Sequence, residues 1–354
     1  MSIFVILYFA CLIVGSCLAA YFGKRETFLT VFSLTLVSFV AGIVGGIGAL
    51  RGIAIAAGLL AFAGGLSYAF REFLVIITPV NVSRELKTAP LTAAFGLFVI
   101  FTYAIAGIFA PWIAPYGEAE VVSSSFAAAD ENMLLGADQL GRDIFSRLVY
   151  GTRNSVGLAL LATLGAFIMG ALAGLYAATR GGWVDQAAGR FADVVMSIPS
   201  LVFALLMLSI FGPQISVIIV AVAIIYAPRV FRLTRAVAGN VVVLDYIEAA
   251  KLRGENRWYL IRKEILPNST APLVAEFGLE FCFVFLLVAG LSFLGLGIQP
   301  PTADWGSMVR ENATLISFGD ITPLIPAAAI ALLTVAVNFV VDWMLFRSSG
   351  LKEQ

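Results

Sequence analysis

The chain has 354 residues, of which 60% are hydrophobic and only 12% charged, and its mean hydropathy is +0.98. That composition excludes a soluble domain and places the chain among integral membrane proteins. Its 22 basic and 22 acidic residues cancel, which leaves nucleic-acid binding without electrostatic support, and the lack of any histidine excludes histidine metal ligands, His-based triads and His proton relays.

A spanning helix needs about 20 mainly apolar residues. In chain order the candidate spans are 2–21, 28–49, 52–70, 90–112, 155–178, 199–212, 214–228, 270–293 and 322–345. The first lacks a basic n-region and a small-residue cleavage site, so it reads as a retained membrane helix rather than a signal peptide. The long apolar stretch 199–228 is interrupted at "FGPQ" (Phe211 to Gln214), where Gly and Pro predict a tight turn between two short spans. If 71–89 faces the cytoplasm, the inside segments hold 17 of the 22 basic residues and only Arg51, Arg142, Arg147, Arg153 and Arg310 stay outside, which fixes the orientation. The predicted organisation is an all-α polytopic membrane protein. A three-span extension covers 1–75, a first core span and outside segment 76–135, a transmembrane domain 136–347, and a short cytoplasmic tail 348–354.

Residues 245–268 interrupt this apolar pattern with nine charged side chains in twenty-four. A helix over 245–253 sets Tyr246, Ala249, Ala250 and Arg253 along one side, with Glu248 and Leu252 on an adjacent stripe. Gly254 is expected to break that helix, because glycine takes left-handed dihedrals readily. A second helix, "NRWYLIRKEI", is expected to end before Pro267. Two readings of this bent hairpin follow: an element lying on lipid headgroups, which Trp258, Tyr259 and the basic residues suit, or a docking element for another protein.

Three motifs choose between them. "EAAKLRG", followed after ten residues by "ILP", resembles the EAA loop of ABC importer permeases; the match covers Glu248, Ala249, Ala250, Gly254, Ile265, Leu266 and Pro267. "GADQLGRDIFSRLVYGTRNSVGLAL" (136–160) is similar to a segment of the dipeptide/oligopeptide/nickel branch, and "LSFLGLGIQPPTADWGSMV" (291–309) to a signature of its C-type permease. The resemblance covers about 85–347. Glu264 stands where that family often has His, Val288 where it often has Glu, and the first three spans have no family counterpart. The resemblance implies a six-span type I ABC importer permease core plus about three extra N-terminal spans, as the C-type subunit of an importer of di- or oligopeptides in the bacterial cytoplasmic membrane. The implied partners are a B-type permease subunit, two ABC ATPase subunits, an extracytoplasmic substrate-binding protein and the lipid bilayer. The implied coupling residues are Glu248, Ala249, Ala250, Gly254, Arg257, Trp258, Leu266 and Pro267, with Glu248 the polar anchor, Ala249 and Ala250 the close-contact surface and Gly254 the bend.

On the outside, Asp138, Arg142, Asp143, Arg147 and Arg153 cluster in one segment, with Trp305 in the other. Either they form a surface helix with an Asp143–Arg147 pair at i,i+4, or they make a rim that docks the binding protein. Trp305 is expected to anchor at the membrane interface. Within the spans, Glu276 is expected at headgroup level and Glu280 to pair with a neighbouring helix, with a transport role as the alternative. Asn338 and Asp342 are expected to hydrogen-bond between helices. Cys11, Cys17 and Cys282 lie in apolar runs without zinc or redox spacing. No "GxxxxGK[ST]" phosphate loop, paired catalytic carboxylates, nucleophile elbow or metal cluster is present, so no catalysis, metal or cofactor is assigned to this chain. ATP and Mg would be used by partner subunits. The rival reading is an ion- or proton-coupled secondary carrier, for which only Glu276 and Glu280 offer intramembrane ionisable groups.

Overall fold

A computed structural model describes residues 48–348. The expected spans 2–21 and nearly all of 28–49 lie outside the described residues. The described chain is helical without a β-strand; only isolated bridges join Val121 to Arg142 and Ala137 to Asp143. Two compact units meet between Val99 and Ile100.

The first unit contains α1 (Gly48–Ile77), α2 (Val80–Thr88) and the first half of α3 (Leu91–Ile108). The expected span 52–70 lies inside α1, which continues to Ile77, so part of the expected inside segment 71–89 is still helix and most of the rest is α2. Arg71 donates to the Ala89 carbonyl at 3.1 Å, and Phe70 meets Phe98 edge-on at 5.5 Å.

After α3, the second unit runs through α4 (Ala110–Ile113), α5 (Ile144–Gly151), a π-turn at Thr152–Val156, α6 (Gly157–Arg180), α7 (Gly182–Met196), α8 (Ser200–Phe211) and α9 (Ile215–Val242). It continues with α10 (Asp245–Leu252), α11 (Arg257–Tyr259), a second π-turn at Leu260–Ile265, α12 (Leu266–Phe293), α13 (Trp305–Asn312), a 3₁₀ turn and α14 (Leu324–Ser348).

Among the described residues six helices are long and apolar enough to cross a membrane: Gly58–Ile77, Leu91–Ile108, Ile144–Arg180, Ile215–Val242, Arg257–Phe293 and Leu324–Arg347. They answer to six of the expected spans, but three are longer than hydropathy alone suggests. Ile144–Arg180 starts well before the expected span 155–178, α9 passes through Pro228 to Val242, and Arg257–Phe293 begins within the charged hairpin. Pro267 therefore does not end a helix. It sits in the first turn of α12, directly after the wider π-turn, where its missing N–H removes no bond that the turn needs. The expected span 199–212 is also revised. At 1.5 Å per residue α8 is only about 18 Å long, short of the ~30 Å hydrocarbon layer, and it reaches spanning length only with α7, to which it is bent by 83°. The turn at "FGPQ" forms as expected, with Gly212 at φ +83°.

Close backbone approach holds the bundle together. Ala159, Ala162, Ala166, Gly170, Gly174 and Ala177 are buried along α6 at helical spacing and face α9. A Cβ at Gly174 would lie 2.8 Å from the Phe231 carbonyl oxygen, and one at Gly170 would press into the Ala227 carbonyl. Small residues matter here because lipid tails are as apolar as the helices, so association depends on packing. Between α12 and α14, Asn338 donates to the Thr334 carbonyl at 2.9 Å and to the Cys282 sulfur at 3.6 Å, while Asp342, expected to join it, is exposed.

Candidate functional site

The charged hairpin lies at the end of the bundle that the basic residues assign to the cytoplasm. α10 follows α9 after only Val243 and Leu244, and it ends at Gly254, which takes φ +82°. The Gly254 N–H donates to the Lys251 carbonyl at 3.0 Å and the Glu255 N–H to the Ala250 carbonyl at 3.2 Å. This paired closure satisfies the last carbonyls of a helix and sets the exit angle of the chain. Asn256 then caps the next helix, its Oδ1 accepting from the Tyr259 N–H at 2.9 Å. The bend expected at Gly254 is present, fixed from both sides.

The hairpin has an inner and an outer face. Ile247 and Ala250, both at 0% exposure, join Leu260, Ile261 and Ile265 in a cluster with Leu175 of α6 and with Ala238 and Val241 of α9. The Asn268 amide ties the elements further, reaching the Tyr246 hydroxyl at 3.2 Å. Glu248, Ala249, Gly254, Arg257 and Pro267 are exposed, Trp258 is 64% exposed, and Leu266 is half-buried against the cluster. Ala250 is the exception among the expected contact residues. It lies one helical step from Ile247 on the inner face, so it packs within this chain and leaves Ala249 alone on the outer surface. That outer surface also carries Tyr246, Lys251, Arg253 and Leu252, the last 83% exposed.

The outside cluster is arranged differently. Asp138, Arg142, Asp143, Arg147 and Trp305 are all at most 3% exposed; only Arg153 is exposed. Arg142 Nε reaches Asp138 Oδ2 at 2.7 Å and its Nη2 reaches Glu311 at 3.0 Å, while Arg147 is 3.3 Å from Asp138 and 3.4 Å from Glu311. Two cations thus face two carboxylates inside the protein, which explains how arginines persist on the positive-poor side. The expected Asp143–Arg147 pair does not form. Asp143 instead caps α5, accepting from the Ser146 N–H at 2.8 Å and from its hydroxyl at 2.6 Å. Of the residues that the docking-rim alternative named, Arg153 is the one exposed in this chain; Asp138, Arg142, Asp143, Arg147 and Trp305 are buried.

Trp305 is not an interface anchor either. Its indole N–H donates to the Leu148 carbonyl at 2.9 Å, and its ring packs edge-on against Tyr103 and Phe285. Beside it Asp304 accepts from the Ser155 hydroxyl at 2.8 Å and caps α13 through the Ser307 N–H at 2.9 Å. Burial raises the Asp304 pKa, and these hydrogen bonds oppose the rise. Glu118 closes the assembly, its carboxylate accepting from Asn154 at 3.0 Å and the Ala303 N–H at 2.8 Å, while its carbonyl takes Arg147.

Sequence reasoning did not single out Glu118, Glu311, Asp304 or Ser155, nor the bidentate pair of Arg235 on α9 with Asp185 on α7. These partners lie 29 to 185 residues apart, and a single sequence carries no local signal for such pairings. Among the described residues no group of three or more acidic or cysteine side chains is placed to hold a metal.

A family model described as a binding-protein-dependent transport system inner membrane component matches residues 166–348, a range that includes the whole hairpin. The chain is 34% identical over 260 residues to the dipeptide transport system permease protein DppC of Alkalihalophilus pseudofirmus, covering 73% of this chain and 85% of that protein. It is 34% identical to the di/tripeptide permease protein DppC of Pseudomonas aeruginosa, covering 70% and 84%. To the glutathione transport system permease protein GsiD of Pectobacterium atrosepticum it is 35% identical, covering 73% and 86%.

Proposed function

We propose, from the premise that this chain belongs to the family of binding-protein-dependent transport system inner membrane components, that it is the C-type membrane subunit of an ATP-driven importer of short peptides. It is a multi-pass protein of the bacterial inner membrane and a permease subunit rather than an enzyme. In this reading an extracytoplasmic binding protein delivers peptide to the outer face that this chain forms with a B-type permease, and two ABC ATPase subunits supply the energy. The importers named for its relatives carry dipeptides, tripeptides or glutathione, which supports a short peptide as cargo.

The observation that carries the coupling role is the mounting of the hairpin. α10 hangs from α9 by two residues, and α11 runs through the π-turn into α12 without a break. The Gly254 closure and the Asn256 cap lock the angle between the two arms. A push on the outer surface of α10 therefore passes to α9 and α12 as rigid-body motion, which is what alternating access requires. Glu248, Ala249, Leu252, Arg257 and Trp258 supply a mixed charged, small and aromatic surface for an ATPase groove.

The test is reconstitution with the partner subunits in proteoliposomes. Glu248→Lys and Gly254→Pro should lower peptide uptake and binding-protein-stimulated ATP hydrolysis together while membrane insertion persists. Wild-type uptake in both variants, or uptake by a preparation that contains no ATPase, would overturn the assignment.

A further inference from the structure

We propose that Arg229, with Glu276 and Glu280 beside it, forms an ionic station on the translocation path that takes the charged termini of a zwitterionic peptide; this rests on the peptide-import reading. Arg229 lies about 21 Å along α9 from Ile215, and Glu280 about 20 Å along α12 from Phe293, at 1.5 Å per residue. Both distances run from the helix ends assigned to the outside, so the two groups lie at similar levels along their helices. Arg229 meets α12 at the ring of Phe283, three residues along the helix from Glu280.

The arginine is exposed, yet its position is defined. Its guanidinium lies 5.3 Å from the Tyr226 ring centre and 5.2 Å from that of Phe283, and the Tyr226 hydroxyl donates to the Phe283 carbonyl at 3.1 Å. Aromatic faces hold the cation while its N–H fork makes no hydrogen bond or ion pair among the described residues. Among the described residues Glu280, 3% exposed, keeps Oε2 without a hydrogen-bond partner and makes no salt bridge to a neighbouring helix. Glu276, one turn away, is half-exposed rather than fully solvated. Leaving a buried carboxyl oxygen unpartnered is costly, and an ionisable group within a span points to a functional site.

On the same face of α12, Phe283 and Leu286 are exposed, and Leu279 and Gly290 half-exposed, at helical spacing toward the outer end. A lipid-facing stripe would put a cation and a carboxylate into hydrocarbon. A helix of the partner permease needs a counter-charge of one sign, whereas this spot offers both signs beside aromatic rings. That combination matches an ammonium, a carboxylate and the apolar side chains between them, and it reads termini rather than sequence.

The experiment measures labelled dipeptide uptake and ATP hydrolysis in one preparation of the full complex with its binding protein. Arg229→Gln and Glu276→Gln should each lower uptake per ATP about ten-fold, as loss of a charge-assisted contact predicts, and Arg229→Lys should restore most of it. An unchanged ratio in Arg229→Gln, including a parallel fall of uptake and hydrolysis, would overturn the station. Loss of the B-type permease from the purified Arg229→Gln complex would also overturn it, making Arg229 an assembly contact. A wild-type complex that hydrolyses ATP but imports no dipeptide would instead remove the peptide reading, and the station with it.

Discussion

The charged groups at the two ends of the bundle are used in opposite ways. At the outer end, Arg142 and Arg147 are closed onto Asp138 and Glu311 inside the protein, and Trp305 is locked between Tyr103 and Phe285. At the inner end, Glu248, Lys251, Arg253 and Arg257 stay exposed, while Ile247, Ala250, Leu260, Ile261 and Ile265 turn inward. Similar charge density in the sequence thus serves an internal clamp in one place and an open surface in the other. What separates them is whether each charge finds its counter-charge within the same chain.

Substitutions can break or sharpen this contrast. Arg147→Ala leaves Asp138 and Glu311 buried with a single cation, so it should cost about 3–5 kcal/mol and be seen as a large fall in the thermal midpoint of the purified protein. A Trp305→Ala cavity belongs to the same range, about 3–5 kcal/mol, and the same measurement reads it. Gly174→Val forces a side chain against the Phe231 carbonyl and should cost about 1–3 kcal/mol, separating bundle packing from the clamp. Asn256→Ala removes a cap worth about 1 kcal/mol. It should speed amide exchange over 257–260 and lower coupling, with little change in the global midpoint. The smallest stability effect belongs to Leu252→Ser, within about 0.5 kcal/mol, because that side chain is 83% exposed. Its effect should fall instead on co-purification of the ATPase. If Arg147→Ala were as mild as Leu252→Ser, the contrast between clamp and open surface would fail.

Several features were legible in the residues alone. Apolar runs located six of the seven spans expected in the described part, Gly254 marked the bend, and the charged island marked the hairpin. Other features depended on neighbours. Pro267 looked like a helix stop because its ring is disfavoured in an interior, but a π-turn before it admits the ring. Ala250 looked like surface because it is small and next to Ala249, yet register with Ile247 turns it inward. Trp305 and the outer arginines looked like interfacial or rim residues because nothing nearby in sequence reveals Glu118, Glu311 or the Leu148 carbonyl.

By itself the sequence determined that this chain lives in lipid and where a polar hairpin leaves the bundle. Those properties follow from transfer free energies and backbone preferences that act over a few residues. Only the tertiary structure decided which charges are neutralised within the chain and which remain for partners. Pairing in a low-dielectric interior depends on distances of a few ångströms between residues far apart along the chain, and such distances exist only after the helices have packed.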